Sequence, residues 1–378
     1  MRVAIDASNL LDGGGITHLK AILKYWDLRT TESFIVLCGS ETASYLGFYC
    51  NIIVKVIPEL SANIIKRNLW LIFHSKKWCI ENKVDILFNP GGGYIGRFRP
   101  YVTMCRNMLI FQAEERKLYG LSKTFFRLKL LEFIHSYSLK NSDGIIFISD
   151  FANQFISDKI KNLPVSEIIN HGVSCQFQLP LKAQLPIGKY TFENPFKLLY
   201  VSIIDVYKHH KEIAGAVALL RKDGFPVEIT FVGGNYPPAF KKLLRLLREI
   251  DPGREFISLA GKQPYNALVD FYKNCDGFIF GSSCENMPNI LVEAMRSGLP
   301  IISSNRPPMP EFLKDGGYYF DPYDVNSIYD NLKEYLLNHD GREKKTALSQ
   351  EYSLKYSWQD CSAKTLNFIE GRMANPIS

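Results

Sequence analysis

The strongest constraint on the fold is an alternation of short apolar runs with helix-length segments, which occurs twice along the 378 residues. Such alternation predicts parallel strands joined by crossover helices. The two series are separated by residues 178–195, which contain Pro180, Pro186 and Pro195 and lack helical periodicity. A chain of this length is also natural for two domains. We therefore expect an α/β protein built from two doubly wound, Rossmann-like domains.

The predicted strands are short and closely spaced in both series. Loops at the carboxyl ends of parallel strands are where ligands collect in such sheets. We therefore expect the functional residues in those loops. The strands are predicted near residues 2–6, 34–38, 52–56, 85–88, 101–105, 144–148 and 166–169, and then 197–202, 227–232, 256–260, 277–280, 300–303 and 318–320.

A glycine-rich loop follows the first predicted strand. Gly14 and Gly15 lie between that strand and a helix predicted from about Ile16 to Trp26. Because glycine has no Cβ atom, its backbone N–H group can approach an anion closely, so the loop favours phosphate binding. The pattern is neither Gly-x-Gly-x-x-Gly nor a Walker loop, which argues against dinucleotide oxidation and P-loop hydrolysis.

Composition and charge narrow the class of protein. A hydrophobic fraction of 46% and a charged fraction of 22% are ordinary for a globular chain. No apolar run approaches the ~20 residues of a membrane-spanning helix. Met1 leads directly into a strand without a signal peptide, so we expect a cytoplasmic protein. The eight cysteines have no metal-ligand spacing and are expected to be mostly buried thiols.

Two acidic residues stand out in the stretch 281–300. Glu285 falls in a predicted loop, and Glu293 lies in a helix that Pro288 begins, because the missing N–H of proline is tolerated in the first turn. Glu293 borders the apolar face of that helix, where a carboxylate needs a partner. Taken alone, the pair is most simply interpreted as solvated acids near a helix N-terminus.

The residues around this pair resemble a family signature. Glu-x7-Glu after a strand, with Pro288-Asn289 at the helix start, resembles the retaining GT-B glycosyltransferases, specifically glycosyltransferase family 4 (glycosyl transferases group 1). The resemblance covers most of residues 197–340 well, and the N-terminal half by topology and short motifs. It implies a GT-B fold, with two Rossmann-like domains facing a central cleft. The expected divisions are an acceptor domain over 1–180 completed by a C-terminal helix at 356–378, a linker at 181–195, and a donor domain over 196–355.

The resemblance also implies an activity. It is the transfer of a hexose, with retention of configuration, from a UDP- or GDP-linked sugar to a glycan or lipid-linked acceptor in surface polysaccharide or lipopolysaccharide synthesis. No metal is expected, and the nucleotide sugar is a co-substrate. By matching positions, Glu285 and Lys208 would be the catalytic residues. Glu285 would bind donor-sugar hydroxyls, and Lys208 would bind the pyrophosphate. The further donor-binding residues would be Gly14, Gly15, Lys262, Asn286, Met287, Pro288, Asn289, Ile290 and Glu293.

Two residues of the family pattern are replaced. Ser202 stands where an arginine is expected six residues before Lys208, and the loop after strand 101–105 lacks the expected histidine. Arg106 and Asn107 in that loop are the candidates for contacts near the sugar or acceptor. Two alternatives stay open. One is a nucleotide-sugar epimerase-like enzyme of the same fold, and the other, which the missing arginine favours, is a non-catalytic nucleotide-sugar-binding protein.

Positive charge is concentrated in the first half of the chain. Residues 1–180 hold 21 Lys or Arg and 15 Asp or Glu, which is most of the net charge of +7. Within this half, residues 65–78 and 116–140 mix basic and apolar side chains. They are either amphipathic helices that pack on the sheet with basic rims, or segments that lie on an anionic membrane surface. No recognised nucleic-acid-binding module accompanies the charge.

Overall fold

A computed structural model describes residues 1–11 and 13–373. The chain forms two compact units. The segment 173–195, which includes the predicted linker, belongs to the second unit. The predicted C-terminal helix spans Trp358–Met373 and belongs to the first unit, while residues 374–378 of that prediction lie outside the described residues. The first unit comprises residues 1–116, 120–172 and the C-terminal segment from 356, and the second comprises 117–119 and 173–355.

The first unit contains a seven-stranded, fully parallel sheet. Its order is β3-β2-β1-β4-β5-β6-β7, so the chain reverses direction across the sheet between β1 and β4. The central strands are buried on both faces, which explains their nearly continuous apolar sequences. The strands are β1 (Arg2–Asp6), β2 (Ser33–Cys38), β3 (Ile52–Val56), β4 (Ile86–Asn89), β5 (Tyr101–Cys105), β6 (Gly144–Phe147) and β7 (Ser166–Ile168).

Helices cover the first sheet, and the last of them comes from the C-terminus. In this C-terminal helix the Ser362 carbonyl accepts a hydrogen bond from Trp26 Nε1 at 3.2 Å, and Phe368 lies against Gly144. The helices are α1 (Gly13–Trp26), α2 (Ser40–Tyr45), α3 (Ile64–Phe73), α4 (Ser75–Glu81), α5 (Ala113–Lys117), α6 (Lys123–Lys140), α7 (Asp150–Lys159) and, after the second unit, α15 (Trp358–Met373).

The second unit contains a six-stranded, fully parallel sheet. Its order is β10-β9-β8-β11-β12-β13, so its point of reversal lies between β8 and β11. The strands are β8 (Phe196–Val201), β9 (Val227–Val232), β10 (Ile257–Gly261), β11 (Gly277–Phe280), β12 (Ile301–Ser304) and β13 (Tyr318–Phe320).

The helices of the second unit alternate with its strands, as the sequence predicts. A 3₁₀ turn at Val206–Lys208 precedes the first of them. The helices are α8 (His210–Lys222), α9 (Pro237–Ile250), α10 (Leu268–Asn274), α11 (Asn289–Arg296), α12 (Met309–Leu313), α13 (Val325–Leu337) and α14 (His339–Ser353). Within the described residues, no helix of either unit is long and apolar enough to cross a bilayer.

The structure corrects one boundary that bears on function. Helix α1 begins at Gly13, three residues before the predicted start, so Gly14 and Gly15 lie in its first turn and not in a loop. Glycine is a poor helix former, which is why the sequence placed the start at Ile16. The first N–H groups of a helix have no carbonyl partner within that helix, so the two glycines still present backbone donors.

Candidate active site

The candidate site of the second unit lies at the point of reversal in its sheet. Lys208 follows β8, and Glu285 follows β11, and these two strands are neighbours although they are far apart in sequence. In doubly wound sheets a ligand crevice forms outside the carboxyl ends of strands at this point. The strand order therefore brings together the two residues predicted to be catalytic.

Lys208 and Glu285 form an ion pair in this position, with Lys208 Nζ donating to Glu285 Oε1. The Lys208 side chain is only 7% exposed and that of Glu285 17%, so neither is a solvated surface charge. The ammonium group also lies 4.9 Å from the centre of the Tyr207 ring and 5.6 Å from that of Phe280. These aromatic faces favour a cation and exclude water around it.

Backbone contacts fix the position of Lys208. Its carbonyl accepts a hydrogen bond of 2.9 Å from the buried Tyr200 hydroxyl, and its amide donates to the Asp205 carbonyl at 3.1 Å. Gly281 allows the β11 loop to approach, because a Cβ atom there would lie 2.6 Å from Ile213 Cδ1 and 3.3 Å from the Lys208 carbonyl. A larger residue at this position would therefore displace the Ile213 side chain and crowd the lysine turn.

A second contact between the same two loops was missed in the sequence. His209 Nε2 lies 2.9 Å from Ser283 Oγ, and both side chains are buried. His209 adopts the left-handed conformation, with φ of 53°. This conformation is uncommon for residues other than glycine. The sequence shows only that a histidine lies at the start of a helix. It gives no sign of the contact between His209 and Ser283.

The start of α11 lies next to the ion pair in the chain. Pro288 is the N-cap, and the helix begins at Asn289, as predicted for the proline. Asn286 and Met287 are buried, whereas Asn289 and Ile290 are partly exposed. The first turn of a helix presents backbone N–H groups and the positive end of the helix dipole. This arrangement can accept a phosphate.

Glu293 is buried, which rules out the interpretation of this residue as a solvated acid. Its Oε1 accepts a hydrogen bond of 2.7 Å from the Tyr265 hydroxyl, while its Oε2 is buried without a hydrogen-bond partner. Burial raises the pKa of this carboxyl to about 7, and the hydrogen bond from Tyr265 acts in the opposite direction. An unpaired carboxylate oxygen in such a place needs a donor such as a ligand hydroxyl. Tyr265 is a further residue that sequence reasoning missed.

Two other predicted positions contribute less to this cluster. Lys262 is exposed in the loop after β10, three residues before Tyr265, and no contact joins its side chain to Lys208 or Glu285. Ser202, which replaces the expected arginine, is buried, and its hydroxyl donates to the Ile203 carbonyl at 3.0 Å. Lys208 is therefore the only cation at the two positions where the family pattern has a pair.

The first unit holds the other predicted residues at the corresponding edge of its own sheet. Gly14 and Gly15 follow β1, and Arg106 and Asn107 follow β5. Arg106 lies over the first turn of α1, because a Cβ atom on Gly15 would be 3.3 Å from Arg106 Nη1. Asn107 is exposed, and its Oδ1 accepts a hydrogen bond from the Leu109 amide at 3.1 Å.

Arg106 is held in an environment that lacks compensating negative charge. Its Nε is buried without a hydrogen-bond partner, and burial lowers the pKa of the guanidinium to about 10. His18 is also buried beside it, and burial, with nearby His171 and Arg106, holds the pKa of His18 well below its usual value. The rings of His18 and His171 stack at 4.6 Å, so His171 is a packed residue. A guanidinium at the positive end of a helix is a binding place for an anion.

Comparisons with known proteins agree with this architecture. Residues 187–351 match the family model described as Glycosyl transferases group 1. O-antigen chain mannosyltransferase B of Escherichia coli is 23% identical over 295 residues, which cover 77% of this chain and 75% of that protein. Among solved structures, Anabaena Alr3699/HepE in complex with UDP and glucose matches with a TM-score of 0.72 at 14% identity, covering 98% of this chain and all (100%) of that one. WaaG, a glycosyltransferase involved in lipopolysaccharide biosynthesis, matches with a TM-score of 0.71 at 15% identity, over 98% of this chain and 100% of that chain.

The two doubly wound parallel sheets, together with these structural matches, define a protein of GT-B fold. Residues 187–351, in its second unit, match the glycosyl transferases group 1 model. The GT-B fold expected from the resemblance is therefore confirmed, and the family match includes the residues around Glu285 and Glu293 that carry the resemblance. The roles of the individual site residues remain predictions.

Proposed function

We propose that this protein is a retaining hexosyltransferase that uses a nucleotide sugar to extend a glycan or lipid-linked acceptor in surface polysaccharide or lipopolysaccharide synthesis. The observation that carries the proposal is the buried pair of Lys208 and Glu285 at the reversal point of the second sheet, inside the segment that matches the glycosyltransferase family. The names of the Escherichia coli O-antigen mannosyltransferase and of WaaG support a glycan acceptor. The UDP and glucose bound by HepE support a nucleotide-hexose donor.

Each side chain has a chemical role in this proposal. Glu285 accepts hydrogen bonds from hydroxyls of the donor sugar, since a carboxylate suits vicinal hydroxyls. Lys208 and the amides at the start of α11, over Asn286–Ile290, bind the diphosphate. Glu293 receives a ribose hydroxyl on its unpartnered Oε2. Lys262, in the loop that precedes Tyr265, is assigned to the nucleobase of the donor.

The first unit supplies the remaining contacts. The first-turn amides at Gly14 and Gly15 and the guanidinium of Arg106 bind an anionic group of the donor, which supplies the negative charge that this cluster lacks. Asn107, exposed in the same loop, contacts the sugar or the acceptor. Arg106 and the amides of the first turn of α1 thus form the candidate anion-binding place of the first unit.

The reaction breaks the bond between the anomeric carbon and the terminal phosphate oxygen of the donor. The acceptor oxygen forms its new bond to the anomeric carbon from the face that the diphosphate leaves, so configuration is retained. The acceptor proton passes to the departing diphosphate. Lys208 and the α11 amides stabilise the charge that develops on that leaving group, which is the main source of rate acceleration. Transfer proceeds without a covalent glycosyl-enzyme and without a metal.

The experiment that tests the function uses the purified full chain with a panel of UDP- and GDP-hexoses. A nucleotide sugar that binds only the folded state raises the midpoint of thermal unfolding, so this screen selects the donor, with GDP-mannose and UDP-glucose as the first candidates. Transfer to lipid-linked or soluble glycan acceptors is then followed by NMR of the anomeric proton. The proposal predicts a product with the donor's anomeric configuration, and an inverted product contradicts it.

Two controls distinguish the proposed transferase from the epimerase-like and non-catalytic alternatives. Incubation with donor alone reveals an epimerase through a changed sugar in the absence of acceptor. Glu285→Gln should lower the rate of transfer by a factor of about 100 or more, because a contact to the reacting sugar is removed. Transfer that is unchanged in this variant overturns the proposed mechanism. A donor that binds but is never transferred to any acceptor favours the non-catalytic alternative.

A further inference from the structure

One side of helix α6 carries large apolar side chains that the first unit leaves exposed. Phe126, Leu130, Phe133 and Tyr137 are 58%, 58%, 72% and 47% exposed. They are three or four residues apart, so they form a single stripe along the helix. Isolated exposed apolar residues are ordinary, but a contiguous stripe of three aromatic residues and a leucine marks an interaction surface.

The opposite side of α6 shows that core packing does not account for this stripe. That side is buried and contains Leu128, His135, Ser138 and Leu139. The Ser138 carbonyl accepts a hydrogen bond from the Tyr101 hydroxyl at 2.7 Å, and its Oγ accepts one from the Tyr94 amide at 3.1 Å. The helix therefore packs on the sheet through this mixed apolar and polar side, and the exposed stripe is not needed for that packing.

Helices α3 and α4 continue the same surface. Ile65 and Phe73 on α3 are 67% and 62% exposed. Tyr94 links these elements, because its hydroxyl lies 3.2 Å from Ser75 Oγ on α4 while its amide contacts Ser138 on α6. Helices α4 and α6 thus lie on the same face of the first sheet. We call the outward surface of α3, α4 and α6 the basic apolar face.

The basic apolar face carries mostly positive charge. Helix α6 carries four Lys or Arg residues, and α3 and α4 carry two each, against one acid on α6 and one on α4. The α6 acid, Glu132, is already paired with Arg116 at 2.7 Å and Lys159 at 2.5 Å. The α4 acid, Glu81, lies 3.7 Å from Lys77. Arg67 on α3 is partly buried, and its Nη1 donates to the Ser8 carbonyl at 3.3 Å. The other basic groups are complementary to an anionic partner that also accepts apolar side chains.

We propose that the basic apolar face docks on the surface of an anionic lipid bilayer. Helices that lie in a membrane interface combine Lys and Arg with Phe and Leu, and they bind through buried apolar area and attraction to anionic headgroups. The stripe of α6 enters the headgroup region, and Lys123, Arg127 and Lys129 contact lipid phosphates. A bilayer accepts both kinds of group along the whole face. The proposal is independent of the proposed function, since vesicle binding is measured without donor or acceptor.

The first test is flotation of the full chain with vesicles of phosphatidylglycerol and phosphatidylcholine, compared with phosphatidylcholine alone. We expect binding to the anionic vesicles that weakens as salt is raised. The double variant Phe126→Ser, Phe133→Ser should lower the partition coefficient by about tenfold or more, because two apolar anchors are lost. The matched control is Leu337→Ser, Leu354→Ser, which removes residues of 57% and 56% exposure from the second unit and should leave binding unchanged.

The second test asks whether vesicle binding depends on the basic residues of α6 or only on the net charge of the protein. Reversing Lys123, Arg127 and Lys129 to Glu should lower binding by a factor on the order of 100 or more, given about fivefold for each basic residue at the surface. Reversing Lys241, Arg245 and Arg248 on α9 changes the net charge by the same amount on another exposed basic surface. This control should retain most of the binding. Equal losses in the two triple variants overturn the assignment to α6.

A third measurement guards against misfolded variants. Phe133→Trp adds an indole on the stripe to the four native tryptophans. Its quenching by brominated lipids should exceed that of the parent protein, whereas a Leu337→Trp variant should show no more quenching than the parent. Equal quenching of the Phe133→Trp variant and the parent overturns the docking geometry. Chromatography with light scattering in the absence of lipid tests the other occupant, a second copy of the chain. A dimer that Phe126→Ser, Phe133→Ser dissociates would replace the bilayer as the partner of this face.

Discussion

At the scale of single residues, the pair of Lys208 and Glu285 has two consequences. The pair is mostly buried, so each group depends on the other for neutralisation. It also holds both side chains in the geometry in which we propose that they meet the donor. Stability and activity are therefore linked at this site, and single substitutions confound the two.

A pair of variants separates these consequences. Glu285→Leu alone leaves the buried ammonium group of Lys208 without its ion-pair partner, and it should lower the free energy of unfolding by about 3 kcal/mol. Adding Lys208→Met should recover most of that loss, because a buried ion pair is commonly replaced by apolar residues at little cost. Transferase activity should stay absent in both. Urea unfolding and the transfer assay measure the two properties, and activity in the stable double variant would show that the pair is purely structural.

Glu293 makes stability depend on pH. Its pKa is about 7 in the folded protein against an ordinary value of 4.5. Between these values the folded chain retains a proton that the unfolded chain has released. The free energy of unfolding therefore falls as pH rises from about 4.5 to 7, by an amount on the order of 3 kcal/mol from this group, and is not affected further above that range.

Glu293→Gln removes this titration while keeping an acceptor for the Tyr265 hydroxyl. We expect the variant to gain stability relative to the parent between pH 5 and pH 8, by a few kcal/mol. Urea unfolding of both proteins at the two pH values measures the difference. Glu334→Gln, on the second unit, is a control that should show no such gain. A constant difference across pH would mean that Glu293 is not protonated preferentially in the folded state.

At the scale of elements, the geometry of the candidate site depends on two loops that the contact between His209 and Ser283 joins. The 3₁₀ turn after β8 carries Lys208, and the loop after β11 carries Glu285. The contact of 2.9 Å between His209 Nε2 and Ser283 Oγ joins them one residue from the lysine. We interpret His209 as a positioning residue that does not itself contact the donor.

His209→Asn is the sharpest test of this interpretation. Asparagine tolerates the left-handed backbone but is too short to reach Ser283, so the fold should be retained. We expect kcat to fall by about tenfold, in keeping with a small displacement of positioned groups, with little change in donor affinity. Ser283→Ala should have a similar effect, and the double variant should lose no more than either single one. His339→Asn serves as the control, and additive losses would contradict a shared contact.

At the scale of the whole molecule, the first unit is completed by the end of the chain. Helix α15 buries Leu366, Phe368 and Ile369 in that unit. Each large apolar side chain contributes about 1.5–3 kcal/mol on burial, so the helix contributes an amount comparable to the whole stability of a domain. All four tryptophans, at positions 26, 70, 78 and 358, belong to the first unit and report on it selectively.

A chain that ends at Lys355 should therefore fail to fold its first unit. The fluorescence of its three remaining tryptophans should shift to the red, because Trp26 and Trp70 lose their buried surroundings. A chain that ends at Met373 keeps all of α15 and should retain the emission of the parent. Unshifted emission in the shorter chain would show that α15 is dispensable for the first unit.

The sequence by itself determined the two α/β series and the local form of the candidate site. Strands were predicted to within a residue or two, because buried parallel strands leave continuous apolar runs between turn residues. The loop at Glu285, the cap at Pro288 and the helix at Glu293 were likewise predicted, since they depend on local backbone preferences. The start of α1 was wrong because glycine carries no positive signal for a helix.

Only the tertiary structure decided which of these residues meet. Lys208 and Glu285 are 77 positions apart, and Tyr265 and Glu293 are 28 apart. Their contacts follow from strand order and loop packing, which no local pattern encodes. The same holds for α6, since periodicity shows which residues share a side of a helix but not which side faces the sheet. Only the structure shows that Ser138 packs against Tyr94 and Tyr101, and therefore that Phe126 and Phe133 are exposed.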